Sequence, residues 1–293
     1  MPINGGILVS KRNTNWNEDK LNRWIKEGRG QGEGKDYKPW INVTDFPSQG
    51  RCARVKGIKT GRIHHFLSDI QREYFYLLEF DEANIIYDIR ESYPLLDFYD
   101  VVQDTQDLNT KYFKDKTTGF PYILTTTFLI TIKSPNGGIE YVARSVKAAS
   151  ELERKTTLEK LEMERRYWEV KSIDWSIITE KDINSVKVKN IEWVLSSIHV
   201  ISDMGLSEQE IIELGAVLQL RLYSNKDSSI RSIVTGFEVD YALGEGLGLF
   251  LFRYLVAIKA VKLNMSIPID LNSPAKVIKF DEIIEEDLKS VSS

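Results

Sequence analysis

The residues best placed to do chemistry are a threonine, a serine and a lysine on two neighbouring strands. The stretch ILTTTFLITIKSPNGGIEYVARSVKAA, residues 123–149, reads as strand, tight turn and strand, ending at Lys147. Many metal-dependent nucleases build their active centre from such a hairpin, with acids beside the lysine to hold the ion. If SPNGG is the turn, Lys133 pairs with Ile139, and outward steps of two pair 131 with 141, 129 with 143 and 127 with 145. Alternation of side chains then puts Thr127, Ser145 and Lys147 on one side of the sheet, and none of the three is an acid.

The elements around the hairpin follow from periodicity. NEDKLNRWIKEG predicts a helix with Leu21, Trp24 and Ile25 on one face, ending at Gly28. LSDIQREYFYLLEFD predicts a second, with Ser68 and Gln71 forming an S-x-x-Q capping box. NIIYDIRESYPLLDF reads as an apolar strand, and VVQDTQDLNTKYFKDKTTGFP as an exposed excursion. LERKTTLEKLEMERRYWEV is a charge-laced helix with Leu158, Leu161, Arg165 and Trp168 along one stripe, and SIDWSIITE closes this half as a buried strand. Helix, strand, hairpin, helix and strand in that order fit a mixed sheet flanked by helices.

EGRGQGEGKDYKPW is not a phosphate loop. Counted back from Gly34-Lys35, the first glycine of a P-loop falls on Arg29, and Asp36 stands where Ser or Thr must bind magnesium. It reads as a flexible basic loop.

From residue 180 the pattern turns helical. SEQEIIELGAVLQLRLY opens with a capping box at Ser207 and Glu210, further helices follow around SIRSIVTGFEVDYAL and LGLFLFRYLVAIKAV, and SIPIDLNSPAKVIKF reads as a hairpin. Helices followed by a hairpin are the order of a winged helix. Two domains are therefore expected, 1–179 and 180–293.

Charge separates the same two parts. Residues 21–66 hold ten Lys or Arg against four acids, whereas 180–293 hold twelve against seventeen. The basic segment suits nucleic-acid phosphates and the acidic end suits a protein partner. A single cysteine, Cys52, excludes an intrachain disulfide and a cysteine-rich zinc site. The first residues, MPINGGILVSKRNTNW, lack a long apolar core, and Arg253 interrupts the most apolar later run, so a cytoplasmic protein without a membrane span is expected.

IKEGRGQGEGKDYKPW, TGRIHHFLSDI, DIRESYPLL, TLEKLEMERRYWEVKSIDW and NIEWVLSS resemble the TnsA family, the endonuclease subunit of heteromeric cut-and-paste DNA transposases of bacteria. The resemblance runs from about residue 25 to about residue 196 and implies a restriction-endonuclease-like catalytic domain followed by a winged-helix domain. It implies Mg²⁺-dependent cleavage at the 5′ ends of a transposon. The implied partners are transposon-end DNA, a TnsB-like transposase and a TnsC-like ATPase regulator, the last docking on the C-terminal domain.

Carried onto this chain, the family's lysine falls on Lys147, its glutamine on Ser145, its metal-binding aspartate on Thr127 and its metal-binding glutamate on Gln71. Both carboxylates are missing, so metal binding at Gln71 and Thr127, and with it strand cleavage, is expected to be weak or absent. Asp69 and Glu73 stand two residues either side of Gln71, about 200° round a helix, and Glu140 is on the strand face opposite Lys147. Glu164 matches a family acid near the active centre; the alternative reading is an active endonuclease using Glu164 or another acid with Lys147. Expected DNA contacts are Arg29, Lys35, Lys38, Arg51, Arg54, Lys59, Arg62, His64 and His65, with Arg165 and Arg166 equally suited to helix salt bridges.

Overall fold

The computed structural model describes residues 15–45, 51–81, 86–134, 136–200 and 205–280; residues 1–14, read above for a leader, and Pro135 of the SPNGG turn lie outside them. In chain order the regular elements are α1 (Glu18–Lys26), β1 (Ala53–Lys56), β2 (Ile63–Phe66), α2 (Asp69–Glu79), β3 (Ile86–Pro94), α3 (Phe98–Val101), β4 (Thr125–Lys133), β5 (Ile139–Val146), α4 (Lys155–Val170), β6 (Asp174–Ile178), α5 (Ser185–Val200), α6 (Glu208–Ser224), α7 (Ile230–Asp240) and α8 (Leu247–Ala257). The described residues form two compact units. One takes the chain up to Arg54, Lys59–Leu67 and Tyr87–Ile178; the other takes Val55–Ile58, the chain from Ser68 to Ile86 and everything from Thr179.

The first unit is built on a four-stranded sheet in the order β3-β4-β5-β6. β4 and β5 are antiparallel, and their register runs from Phe128↔Arg144 to Lys133↔Ile139, the pairing that the turn dictates. β5 and β6 are parallel, which requires a crossover, and α4 supplies it. The sheet is therefore mixed and flanked by helices, an arrangement that fits an endonuclease-like fold. α4 packs Met163, Tyr167 and Trp168 against Leu129 and Ala143, and the Trp168 indole N–H donates to the buried Thr126 hydroxyl at 2.7 Å.

The helix is rolled relative to the expected stripe. Leu158 is 50% exposed and Arg165 is caught by Glu162 and Glu169 at the surface, while Met163, Glu164 and Tyr167 turn inward. β6 is half-buried rather than buried, because it is an edge strand.

β3 is the opposite edge, and its carbonyl groups are covered by the glycine-rich segment together with Arg62. Arg62 donates to Ile89 O at 2.8 Å, the Tyr37 hydroxyl to Glu91 O at 3.1 Å and Trp40 N–H to Ser92 O at 3.3 Å. The segment read as a flexible loop is thus held by the edge it satisfies. Gly30 shows why a side chain is excluded there: its φ is 75°, and a Cβ would stand 2.3 Å from the Pro94 ring. α1 is capped by Asn17, whose side chain accepts Lys20 N–H, and buries Trp24 against Trp16 and Trp40, leaving Ile25 38% exposed. The excursion after α3 is pinned by the buried Asp115, which accepts the N–H groups of Trp16, Thr117 and Thr118 at 2.9, 2.9 and 3.0 Å.

The second unit gathers α2 and α5 to α8 around a core of Phe80, Ile191, Leu218, Phe237, Phe252 and their neighbours. The capping box at Ser207 and Glu210 forms as expected. The hairpin expected over 266–280 does not form a strand ladder among the described residues. Its backbone bonds go elsewhere: Arg231 N–H to Leu271 O at 2.8 Å, Ala275 N–H to Ser228 O at 2.9 Å, and single bridges Ser229↔Pro274 and Lys262↔Lys279. Asn190, buried on α5, fixes the preceding turn by donating to Met265 O at 2.9 Å and Ile267 O at 2.7 Å. No described helix is long and apolar enough to cross a membrane.

Candidate functional site

At the exit of the hairpin the ladder ends in a side-chain contact. The Thr127 hydroxyl accepts the N–H of Val146 at 3.0 Å, and Val146 is the residue between Ser145 and Lys147. Ser145 is buried; its hydroxyl donates to Glu164 on α4 and accepts the Trp175 indole N–H at 3.0 Å. Glu164 is 1% exposed, and its other oxygen lies 3.6 Å from the Lys160 ammonium one helical turn earlier. Lys147 is partly exposed, with its ammonium 3.8 Å from Glu151.

The structure therefore assembles Ser145, Glu164, Lys160 and Trp175, and Lys147 follows Ser145 by two residues in the chain. Burial lowers the Lys160 pKa, Glu164 opposes that, and the positive charge of Lys147 adds to the lowering. Sequence reading found Ser145, Lys147 and Glu164 but missed Lys160 and Trp175. The i, i+4 spacing of Lys160 and Glu164 in LEKLEMER was the available signal for the lysine.

Gln71 lies in the first turn of α2, where its backbone N–H donates to the Ser68 hydroxyl at 3.4 Å. Ser68 acts as the N-cap that the capping-box spacing called for.

The donor set around Ser145 does not suit a divalent ion of the magnesium type, which wants carboxylates and open oxygen positions. The Thr127 hydroxyl holds the end of the ladder, the Ser145 hydroxyl is engaged on both sides, and the single buried carboxylate, Glu164, already faces an ammonium. Among the described residues no group of three or more His, Cys, Asp or Glu side chains is arranged to hold a metal.

The residues expected to meet DNA divide into surface and interior. Lys35, Arg51 and Arg54 are exposed, Lys59 is half-buried, and the exposed Lys38 donates to the carbonyl of Glu27 at 3.0 Å. Arg29 is tied to Asp45 at 2.6 Å and stacks on Trp24. Arg62 and His64 are not at the surface: both are buried on the carboxylate of Glu91, Arg62 at 2.5 and 2.8 Å and His64 Nδ1 at 2.8 Å. The other imidazole nitrogen of His64 lies 2.7 Å from the Thr60 hydroxyl. A basic run in sequence is blind to burial, and here the buried edge of β3 claims its two inward-facing members. His65 is half-buried, and its Nδ1 accepts the Val43 N–H at 3.3 Å. Burial lowers its pKa, with Arg54 and Arg62 adding to that and Glu91 opposing. Arg166 pairs with Asp107 at 2.6 Å and Glu162 at 2.8 Å, so both arginines of α4 serve salt bridges.

Comparison with known proteins bears on both halves of the chain. Residues 84–180 match the family model described as TnsA-like endonuclease N terminal, and residues 182–265 match the one described as TnsA endonuclease C terminal. The transposon Tn7 transposition protein TnsA of Escherichia coli is 36% identical over 285 residues, spanning 97% of this chain and 100% of that protein.

Proposed function

Because the chain belongs to the TnsA family of transposition endonucleases, we propose that it is the TnsA-type subunit of a heteromeric DNA transposase whose nuclease fold persists as a scaffold while its own strand cleavage is weak or absent. Endonucleases of this family are generally metal-dependent. The observation that carries the reading is the state of the hairpin exit: the positions equivalent to the family's aspartate and glutamine are hydroxyls, Thr127 and Ser145, already bonded to Val146 N–H and to Glu164. Gln71 stands at the position of the family's glutamate. Oxygens without charge bind a hard dication poorly, so neither water activation nor leaving-group stabilisation is supported by these positions.

In this reading Lys147 and the exposed Lys35, Lys38, Arg51 and Arg54 contact transposon-end DNA. The C-terminal part of the chain, read as a winged-helix module from its helix order, docks a TnsC-like ATPase regulator, and the subunit as a whole works with a TnsB-like transposase. The acidic balance of that part supports protein docking over DNA binding.

A second reading keeps cleavage alive through Glu164 and is favoured by one contact, the hydrogen bond that brings Ser145 onto that carboxylate. One assay separates the two. The protein is combined with its transposase partner, a transposon-end duplex and Mg²⁺ or Mn²⁺, and 5′-strand nicks are counted. The scaffold reading expects none from the natural sequence and a gain from Gln71→Glu with Thr127→Asp. Nicks that vanish in Lys147→Ala or Glu164→Gln overturn it in favour of the second reading.

A further inference from the structure

We propose that the excursion between α3 and β4 is a second DNA-contact surface, gripping the backbone of a transposon-end duplex through Lys111, Lys114 and Lys116, with Tyr112 set among them. The proposal rests on the reading that this subunit binds transposon-end DNA, and it adds a surface that the basic run from Arg29 to His65 does not include.

The excursion is long but firmly tied. It joins α3 to β4 over residues 102–124. A short 3₁₀ turn, Thr110–Phe113, leads into a single bridge, Lys114↔Pro121, which is closed by Tyr122 N–H to Phe113 O at 2.8 Å and Asp115 N–H to Phe120 O at 2.9 Å. The Trp16 indole N–H donates to Pro121 O at 2.8 Å, and the Thr118 hydroxyl donates to Trp16 O at 2.6 Å. α4 holds the other end: Glu159 accepts Asn109 N–H at 3.0 Å, and Arg166 pairs with Asp107. Loops of this length inside a domain are uncommon, and one fixed to a rigid frame is a usual carrier of binding residues.

The bonding sorts the charges of the segment. Residues 108–122 contain three lysines and one acid, Asp115. That carboxylate is buried and already accepts the N–H groups of Trp16, Thr117 and Thr118 and, at 3.2 Å, the Tyr122 hydroxyl. The nearest preceding acid, Asp107, is held by Arg166. Lys111, Lys114 and Lys116 are exposed, and among the described residues no carboxylate lies in ion-pair range of any of them. Three like charges on a fixed backbone with no internal partner suit a polyanion.

Tyr112 narrows the class of polyanion. It is 48% exposed in the 3₁₀ turn, next to Lys111. A tyrosine hydroxyl donates to phosphate oxygens, and its ring gives an apolar face to the sugar or base beside them. Lysines interleaved with an exposed aromatic side chain fit a nucleic-acid backbone better than an acidic protein face, and the family works in DNA transposition.

The test is binding of the full chain to a fluorescein-labelled 30-base-pair transposon-end duplex in EDTA, read by anisotropy over a range of salt concentrations. Replacing all three lysines by glutamine is expected to lower the slope of log K against log salt by about 2 to 3, at about 0.9 per phosphate contact, and to weaken binding by at least about tenfold. Arginine at the same three positions retains both, because the charge is kept. Tyr112→Ala is expected to weaken binding with little change of slope, and thermal melting confirms that each variant is folded. An unchanged slope in the folded triple-glutamine variant, beside a slope that falls in Lys35→Gln with Lys38→Gln, overturns this surface and leaves DNA binding by the subunit standing. Loss of binding to the transposase partner with an unchanged duplex slope marks the excursion as a protein contact and also overturns it. Failure of the natural chain to bind the duplex at any salt concentration overturns the DNA-binding reading and this surface together.

Discussion

Thr127 and Val146 meet through a side chain where two strands would ordinarily meet through backbone: the threonine hydroxyl accepts the valine N–H at 3.0 Å. The hydroxyl closes the hairpin at the point from which Lys147 emerges. Thr127→Val keeps the shape and removes the acceptor. It is expected to cost about 1–2 kcal/mol, the loss of one hydrogen bond with its donor left partly buried. Urea unfolding of the two proteins measures this, and a difference below about 0.5 kcal/mol means the Val146 N–H has another acceptor.

Glu91 governs acid stability. Burial pushes its carboxyl up, but hydrogen bonds from Arg62 and His64 outweigh that and hold it down at about 2, against 4.5 in the unfolded chain. A folded-state pKa below the unfolded one contributes stability that is fully present above about 4.5 and is lost as pH falls through about 2. The contribution at neutral pH is about 3 kcal/mol at 1.36 kcal/mol per pH unit. Denaturant midpoints taken between pH 7 and pH 2 are expected to fall in that window. Glu91→Gln is expected to lower stability at pH 7 by about 3–5 kcal/mol, since Arg62 is left buried and uncompensated, and to remove the share of the acid dependence that Glu91 supplies.

Gly248 sets the approach of α7 and α8. A Cβ at this position would stand 2.5 Å from the backbone oxygen of Val234 and 3.0 Å from Glu238. Backbone cannot yield as a flexible side chain does. Gly248→Ala is therefore expected to destabilise the second unit by about 1–3 kcal/mol despite alanine's better helix propensity. A thermal melt that rises on this substitution means the two helices separate at little cost.

Product topology reports on cleavage inside cells. If the 5′ strands of the element are not cut, it stays joined to donor DNA, and transposition yields cointegrates rather than simple insertions. Long-read sequencing of transposition products counts the two classes. A majority of simple insertions from the natural sequence contradicts the scaffold reading, whereas a shift toward them in Gln71→Glu with Thr127→Asp supports it.

The sequence by itself determined the frame and the register. The SPNGG turn fixed which residues of β4 and β5 face each other, and observed pairs such as Leu129↔Ala143 and Lys133↔Ile139 are the ones that spacing requires. Local rules sufficed because a hairpin and a capped helix are short-range objects: Ser68 and Ser207 cap their helices where their types and spacing place them.

Only the tertiary structure decided what those residues touch. The basic run from Arg29 to His65 reads uniformly as surface, yet Arg62 and His64 turn inward, because the edge carbonyl groups of β3 and the buried Glu91 carboxylate demand donors. The roll of α4 is set by the sheet it covers, and it alone brings Glu164 onto Ser145 and Lys160 to within 3.6 Å of that carboxylate. The last segment departs from the hairpin pattern for the same reason: Arg231 and Ala275 send their N–H groups to carbonyls outside any strand ladder, and Asn190 ties the preceding turn to α5. Periodicity reports which face of an element is apolar, whereas the partner of a buried polar group is fixed by residues far away in the chain.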